Sequence, residues 1–199
     1  MNSISTIRVG YESVLWKRLD VPGYEFAEFR GLAEGWQLCG AAVFAHTGLP
    51  CRLEYDIRCD WNWITQLANV NGRIGDRTVD IELLRNPAGE WAMNGSKVWE
   101  LNGCDDIDLN FSPSTNLLPI RRLSLAVGQS ARVKAAWLKF PDLNLEPLEQ
   151  VYSRIGSETY RYESANGKFR REITVDTAGF VLEYPDFWRA EARTGGTIA

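Results

Sequence analysis

The sequence holds a single histidine, His46, and no two of its four cysteines form a CxxC pair. Structural zinc needs closely spaced sulfur and nitrogen ligands, so no metal site is expected, and no cofactor is implied. Cys39, Cys51, Cys59 and Cys104 are scattered through the first half of the chain and are expected to be reduced, partly buried thiols. Cys59 and Cys104 each adjoin an aspartate, which opposes thiolate formation and speaks against a nucleophilic role. Positive charge is not in excess: 22 Lys and Arg stand against 26 Asp and Glu, a net charge of -4. That balance gives no general attraction to nucleic acid or to anionic membrane. No apolar run approaches the length of a bilayer span. Residues 1–10 lack the apolar region and small-residue cleavage site of a secretory signal, so a cytoplasmic location without an integral membrane segment is expected. The glycines of NGRIG (71–75) are followed by no Lys-Ser or Lys-Thr, which excludes a phosphate loop.

Strand patterning and aromatic rings are what the chain has in quantity. In CRLEYDIRC (51–59), Cys51, Leu53, Tyr55, Ile57 and Cys59 alternate with Arg52, Glu54, Asp56 and Arg58. Period two marks a half-buried strand. TVDIELLR (78–85) and EWAMNG (90–95) flank the turn NPAG, and TYRYES (159–164) and KFRREITV (168–175) flank ANG; both read as hairpins. IRRLSLAV (120–127), RVKAAWLKF (132–140) and GFVLEYP (179–185) read as further strands. DWNWITQLANV (60–70) suits helix or strand, and 146–153 has room for one helical turn. The expected fold is all-β and mainly antiparallel, a roll or barrel-like sheet with few or no helices.

GLPCRLEYDI (48–57) resembles LLPIRRLSLAV (117–127), and each is followed by a long strand region and a hairpin. The similarity suggests an internal duplication with pseudo-two-fold symmetry. One domain of two intertwined halves, about 15–112 and 113–190, fits the length of 199 residues.

The densest segment is GCDDIDLNFSPSTNLLPIRRL (103–123). In a strand register Asp106 and Asp108 share a face, and Arg121 falls in phase with Leu123 and Leu125. A guanidinium on an apolar face needs a carboxylate, because an unpaired buried charge is costly; Asp60, Asp106 and Asp108 are candidates by type. Three uses are open: an ionic clasp between the halves, a polar floor of a ligand cavity, or an Asp106/Asp108 acid–base pair of a hydrolase acting on a sugar or ester.

Motifs along nearly the whole chain carry a likeness: WKRLDVPG (16–23), GW (35–36), LPCRLEYDIRCDWNW (49–63), EW (90–91), 103–125, EQVYSRIG (149–156), YRYES (160–164) and GFVLEYPDFW (179–188). The chain resembles the putative glycolipid-binding family of bacterial proteins, a domain of unknown function with a spiral β-roll. The resemblance implies two related β halves and a likeness to bacterial carriers that shuttle lipoproteins between membranes. It carries over no catalytic residues. One departure stands out: where the family pattern places an arginine after Cys-Asp-x-x-Trp-x-Thr, this chain has Gln66. If that arginine holds an anionic head group, this member binds something different or binds it more weakly.

The expected function is non-enzymatic binding of an amphipathic small molecule such as a glycolipid. Trp61, Trp63, Trp91 and Trp137 are candidates for apolar or sugar-stacking walls. Arg52, Arg121, Arg122, Asp60, Asp106, Asp108 and Asn116 are candidates for the polar end, with Tyr152 and Tyr160 as additions. A partner-binding scaffold is the remaining alternative.

Overall fold

The computed structural model describes residues 11–194. The first meander is β1 (Tyr11–Arg18), β2 (Gly23–Leu32), β3 (Gly35–His46), β4 (Leu49–Cys59), β5 (Thr65–Ile74), β6 (Arg77–Arg85), β7 (Trp91–Met93) and β8 (Ser96–Val98). Next come β9 (Asp106–Leu109) and α1 (Leu117–Leu123). The second meander is β10 (Ser130–Lys139), β11 (Asn144–Arg154), β12 (Thr159–Ser164), β13 (Phe169–Val175), β14 (Val181–Tyr184) and β15 (Trp188–Arg193). All the strands form one sheet, in the order β8-β7-β6-β5-β4-β3-β2-β1-β15-β14-β13-β12-β11-β10-β9. Every pairing is antiparallel except β9 with β10, so the two meanders meet along β1 and β15.

The sheet rolls back on itself. Thr65 N donates to Asp105 O at 3.0 Å and Ile107 N donates to Thr65 Oγ1 at 3.2 Å, which brings the β9 edge against β5. This contact shields an otherwise open row of backbone groups. The inner face carries the apolar half of each alternating strand: Cys51, Leu53, Tyr55, Ile57 and Cys59 on β4 are all buried, while Arg52, Glu54 and Arg58 lie outside.

Both predicted hairpins form, β6–β7 across NPAG and β12–β13 across ANG, where Asn166 takes φ 56°. Residues 146–153 hold no helical turn but run as the middle of β11, and 60–64 is a turn that feeds β5.

One expected strand is a helix. Residues 117–123 form α1, entered through a 3-10 turn at Ser114–Asn116, and 124–127 are loop and turn rather than strand. Pro119 lies in the first turn, where its missing N–H costs nothing, and Leu and Arg are strong helix formers. Ser124 ends the helix in the left-handed region at φ 44°, and Arg121 and Arg122 in the last turn complement its dipole. The two segments aligned as a repeat thus take different forms, strand at 49–59 and helix at 117–123.

Candidate functional site

An open cavity of about 510 Å³ lies between the two meanders. β1 contributes Arg18 at its end, the following loop Asp20 and Val21, and β3 Phe44 and His46. The opposite wall comes from Trp137, Phe140, Leu148, Tyr162, Ser164, Phe169, Tyr184, Phe187 and Trp188. β9 supplies Asp108, and the segment after it supplies Asn110, Phe111, Ser112 and Asn116. The rings of Tyr162, Phe169, Tyr184, Phe187 and Trp188 pack on one another as edge-on and tilted pairs. A wall of mutually braced rings presents a stiff apolar surface.

Arg18 is the cation of the cavity. It follows Val14 and Trp16 on the inner face of β1, and its side chain is 8% exposed. Nε and Nη2 donate to Asp20 at 3.0 and 2.7 Å. Its guanidinium carbon lies 4.4 Å from the Phe44 ring centre and 5.3 Å from that of Trp188. Arg18 Nη1 and Trp188 Nε1 have no hydrogen-bond partner among the described residues. A buried donor left unmet costs about 1–3 kcal/mol.

One carboxyl on the cavity wall and one behind it have raised proton affinity. The Asp108 carboxylate accepts from Gln150 Nε2 at 2.6 Å, and the same nitrogen reaches the Tyr162 hydroxyl at 3.0 Å. Burial pushes its pKa from 3.8 up to about 6; the Gln150 bond opposes the rise and the Asp106 charge adds to it. Behind the wall, Glu25 is 1% exposed and accepts from Tyr55 Oη at 2.7 Å and from the Ser112 hydroxyl. Burial raises its pKa from 4.5 to about 7, against the pull of Ser112, Tyr55 and Arg18. Glu25 Oε2 has no partner among the described residues.

Of the residues expected at the site, Asp108, Asn116 and Trp137 line this cavity. Tyr152 stands behind Asn116 and donates to its Oδ1 at 2.8 Å. Asp106 and Arg122 form the clasp: Arg122 Nε donates to Asp106 Oδ1 at 3.1 Å and Nη2 to Oδ2, with Asp106 1% exposed. The helix puts Arg122, not Arg121, over the carboxylate. Arg121 instead lies 5.3 Å above Trp63 and 5.5 Å from Phe29. Trp63 stacks on Trp36 at 4.7 Å, and Trp36 meets the half-exposed Trp61 edge-on.

The remaining candidates have structural surroundings. Trp91 is buried and donates to Cys104 O at 3.0 Å. Asp60 does not meet an arginine; its Oδ1 accepts from the backbone of Asn62 and Ile64 and shapes the turn. Arg52 is exposed on the outer face and pairs with Glu54 at 3.0 Å. Tyr160 and Arg121 border a separate pocket of about 200 Å³ with Arg154, Glu158 and Asp176. Gln66 is exposed on β5 and does not line the cavity, so the departure from the family pattern lies away from it.

A model of the family described as "Putative glycolipid-binding" matches residues 13–190. The chain belongs to this family. A solved DUF1089 family protein from Pseudomonas aeruginosa is similar at 31% identity and TM-score 0.74, over 83% of this chain and 91% of that one. A β-barrel-like protein of the domain of unknown function DUF1849 from Brucella abortus shares the fold at 9% identity and TM-score 0.58, over 94% of this chain and 98% of that one. None of the curated proteins matches. Among glycolipid-binding family segments quoted from the sequence, WKRLDVPG carries Arg18 and Asp20, and GFVLEYPDFW carries Tyr184, Phe187 and Trp188, all on the cavity wall.

Proposed function

We propose that the protein binds an amphipathic, glycolipid-like molecule in the cavity between its meanders and performs no chemistry on it. The observation that carries this reading is the joint presence of a braced aromatic wall and hydrogen-bonding groups in one open space of about 510 Å³. That volume lies in the range of small-molecule sites, roughly 300–1,000 Å³. Rings cover the C–H faces of a sugar or the start of an alkyl chain, while Asp108 and Asn116 meet hydroxyls. The family description and the barrel-like relatives support the ligand class by likeness.

The hydrolase alternative rests on Asp106 and Asp108 working together. Asp106 is enclosed in its pairing with Arg122 and is absent from the lining, so Asp108 faces the cavity without it. The binding reading needs neither group to transfer a proton.

Mass spectrometry of the folded protein purified from its own host tests the proposal. A retained small amphiphile is expected, lost on denaturation. A bare chain mass, together with no change in tryptophan fluorescence on titration with alkyl glycosides, overturns it.

A further inference from the structure

The charges around the cavity are unequally committed, and the inequality bears on which head group it admits. Among the described residues Arg18 is the only arginine or lysine that lines the cavity, and Asp20 already holds two of its nitrogens. Its flat faces are covered by Phe44 and Trp188. With Arg18 and Asp20 offsetting each other, Asp108 is left on the wall and Glu25 lies directly behind Ser112. Among the described residues Asp108 pairs with no cation: its hydrogen bond comes from the uncharged amide of Gln150.

Resting on the ligand-binding reading above, we propose that the cavity selects an uncharged, hydroxyl-rich head group and rejects phosphate- or carboxylate-headed amphiphiles of the same chain length. A hydroxyl donates to the Asp108 carboxylate, while the C–H faces of the same head group lie on the aromatic wall. An anionic head meets Asp108 as a like charge and has no free guanidinium to offset it. Charge repulsion is strong in such a site, because water screens it poorly. A quaternary ammonium head suits Asp108 in charge and the rings by cation–π attraction, but it has no hydrogen to donate to the carboxylate. Aromatic walls that bury a lipid phosphate normally come with arginines free to fork onto its oxygens; here the one arginine is engaged.

Isothermal titration below the micellar concentration tests this with octyl glucoside, octyl phosphate and octyltrimethylammonium at pH 8. The glucoside is expected to bind at least about tenfold more tightly than the phosphate. Asp108→Asn, which removes the unpaired carboxylate at nearly constant shape, is expected to narrow that gap by raising phosphate affinity. Equal or tighter binding of the phosphate or the ammonium overturns the selectivity while leaving the cavity as a binding site. Failure of all three amphiphiles to bind overturns the ligand-binding reading itself, and the selectivity with it. An Asp108→Asn protein that folds with an unchanged gap removes Asp108 as the selecting group and also counts against the proposal.

Discussion

Arg122 grips Asp106 through two nitrogens, while Asp108, two residues along the same strand, faces the cavity with only an amide for company. One short strand therefore divides its carboxylates between holding the fold and bordering the candidate site. The clasp joins α1 to the β9 edge that closes the roll. Removing one partner of a buried ion pair costs about 3–5 kcal/mol, since the other charge is left stranded. Arg122→Met is thus expected to destabilise the protein by that amount in urea denaturation. Pairing it with Asp106→Leu should restore most of the loss, because an apolar pair of similar volume is often as stable. Alkyl glucoside affinity should follow neither variant, as neither residue lines the cavity.

Stability should fall as pH rises through the weakly acidic range. Asp108 titrates near 6 in the folded chain against 3.8 ordinarily, and Glu25 near 7 against 4.5. Both carboxyls hold protons in the folded state that the unfolded chain has released, so the native state binds more protons between about pH 4 and 7. Their contribution is full below pH 4, declines through pH 6 to 7, and levels off above. Each tenfold in proton affinity is about 1.4 kcal/mol, so either group accounts for at most about 3–4 kcal/mol. Thermal melts should show a higher midpoint at pH 5 than at pH 8. Glu25→Gln and Asp108→Asn should each flatten the dependence; a midpoint that rises from pH 5 to pH 8 would contradict it.

The tryptophans divide into separate roles that substitution can separate. Trp137 borders the cavity, Trp91 is fully buried against Cys104, and Trp61 is 54% exposed. Trp137→Ala is expected to weaken alkyl glucoside binding about tenfold with a modest effect on folding. Trp91→Ala should cost about 3–5 kcal/mol of stability. Trp61→Ala should leave binding unchanged and stability nearly so. Calorimetric titration beside thermal denaturation gives both readouts on each variant.

Much of the sheet was legible in the sequence because alternation is a local property. Cys51 to Cys59 declare their inward and outward faces without reference to anything distant. The helix at 117–123 was hidden by Arg121, which falls in phase with Leu123 and Leu125 at period two, although Pro119 after a polar turn signals a helix entry equally well. The cavity was less legible, since its walls come from β1, β3 and the whole second meander, and only the roll brings them together. One signal was nevertheless present. Arg18 falls in phase with Val14 and Trp16, and Glu25 with Ala27 and Phe29, so both put a charge on an apolar strand face. The reasoning that singled out Arg121 applies with more force to these two. Abundance of rings, by contrast, does not separate cavity wall from core: Trp91 and Trp137 look alike until their neighbours are known.

Occupying the cavity with protein should abolish binding and leave the fold standing. Leu148 sits half-buried on β11 and lines the cavity, and an aromatic residue suits a strand position. In Leu148→Trp the larger ring takes up space that the ligand needs, at an overpacking cost of about 1–3 kcal/mol at most. Val43→Trp is the matched control, since Val43 is 57% exposed on β3 and lies outside the lining. Octyl glucoside affinity should drop at least about tenfold in Leu148→Trp and stay unchanged in Val43→Trp. If both variants bind as the parent does, the ligand sits elsewhere, and the pocket shared by Arg121, Tyr160 and Asp176 becomes the place to test next.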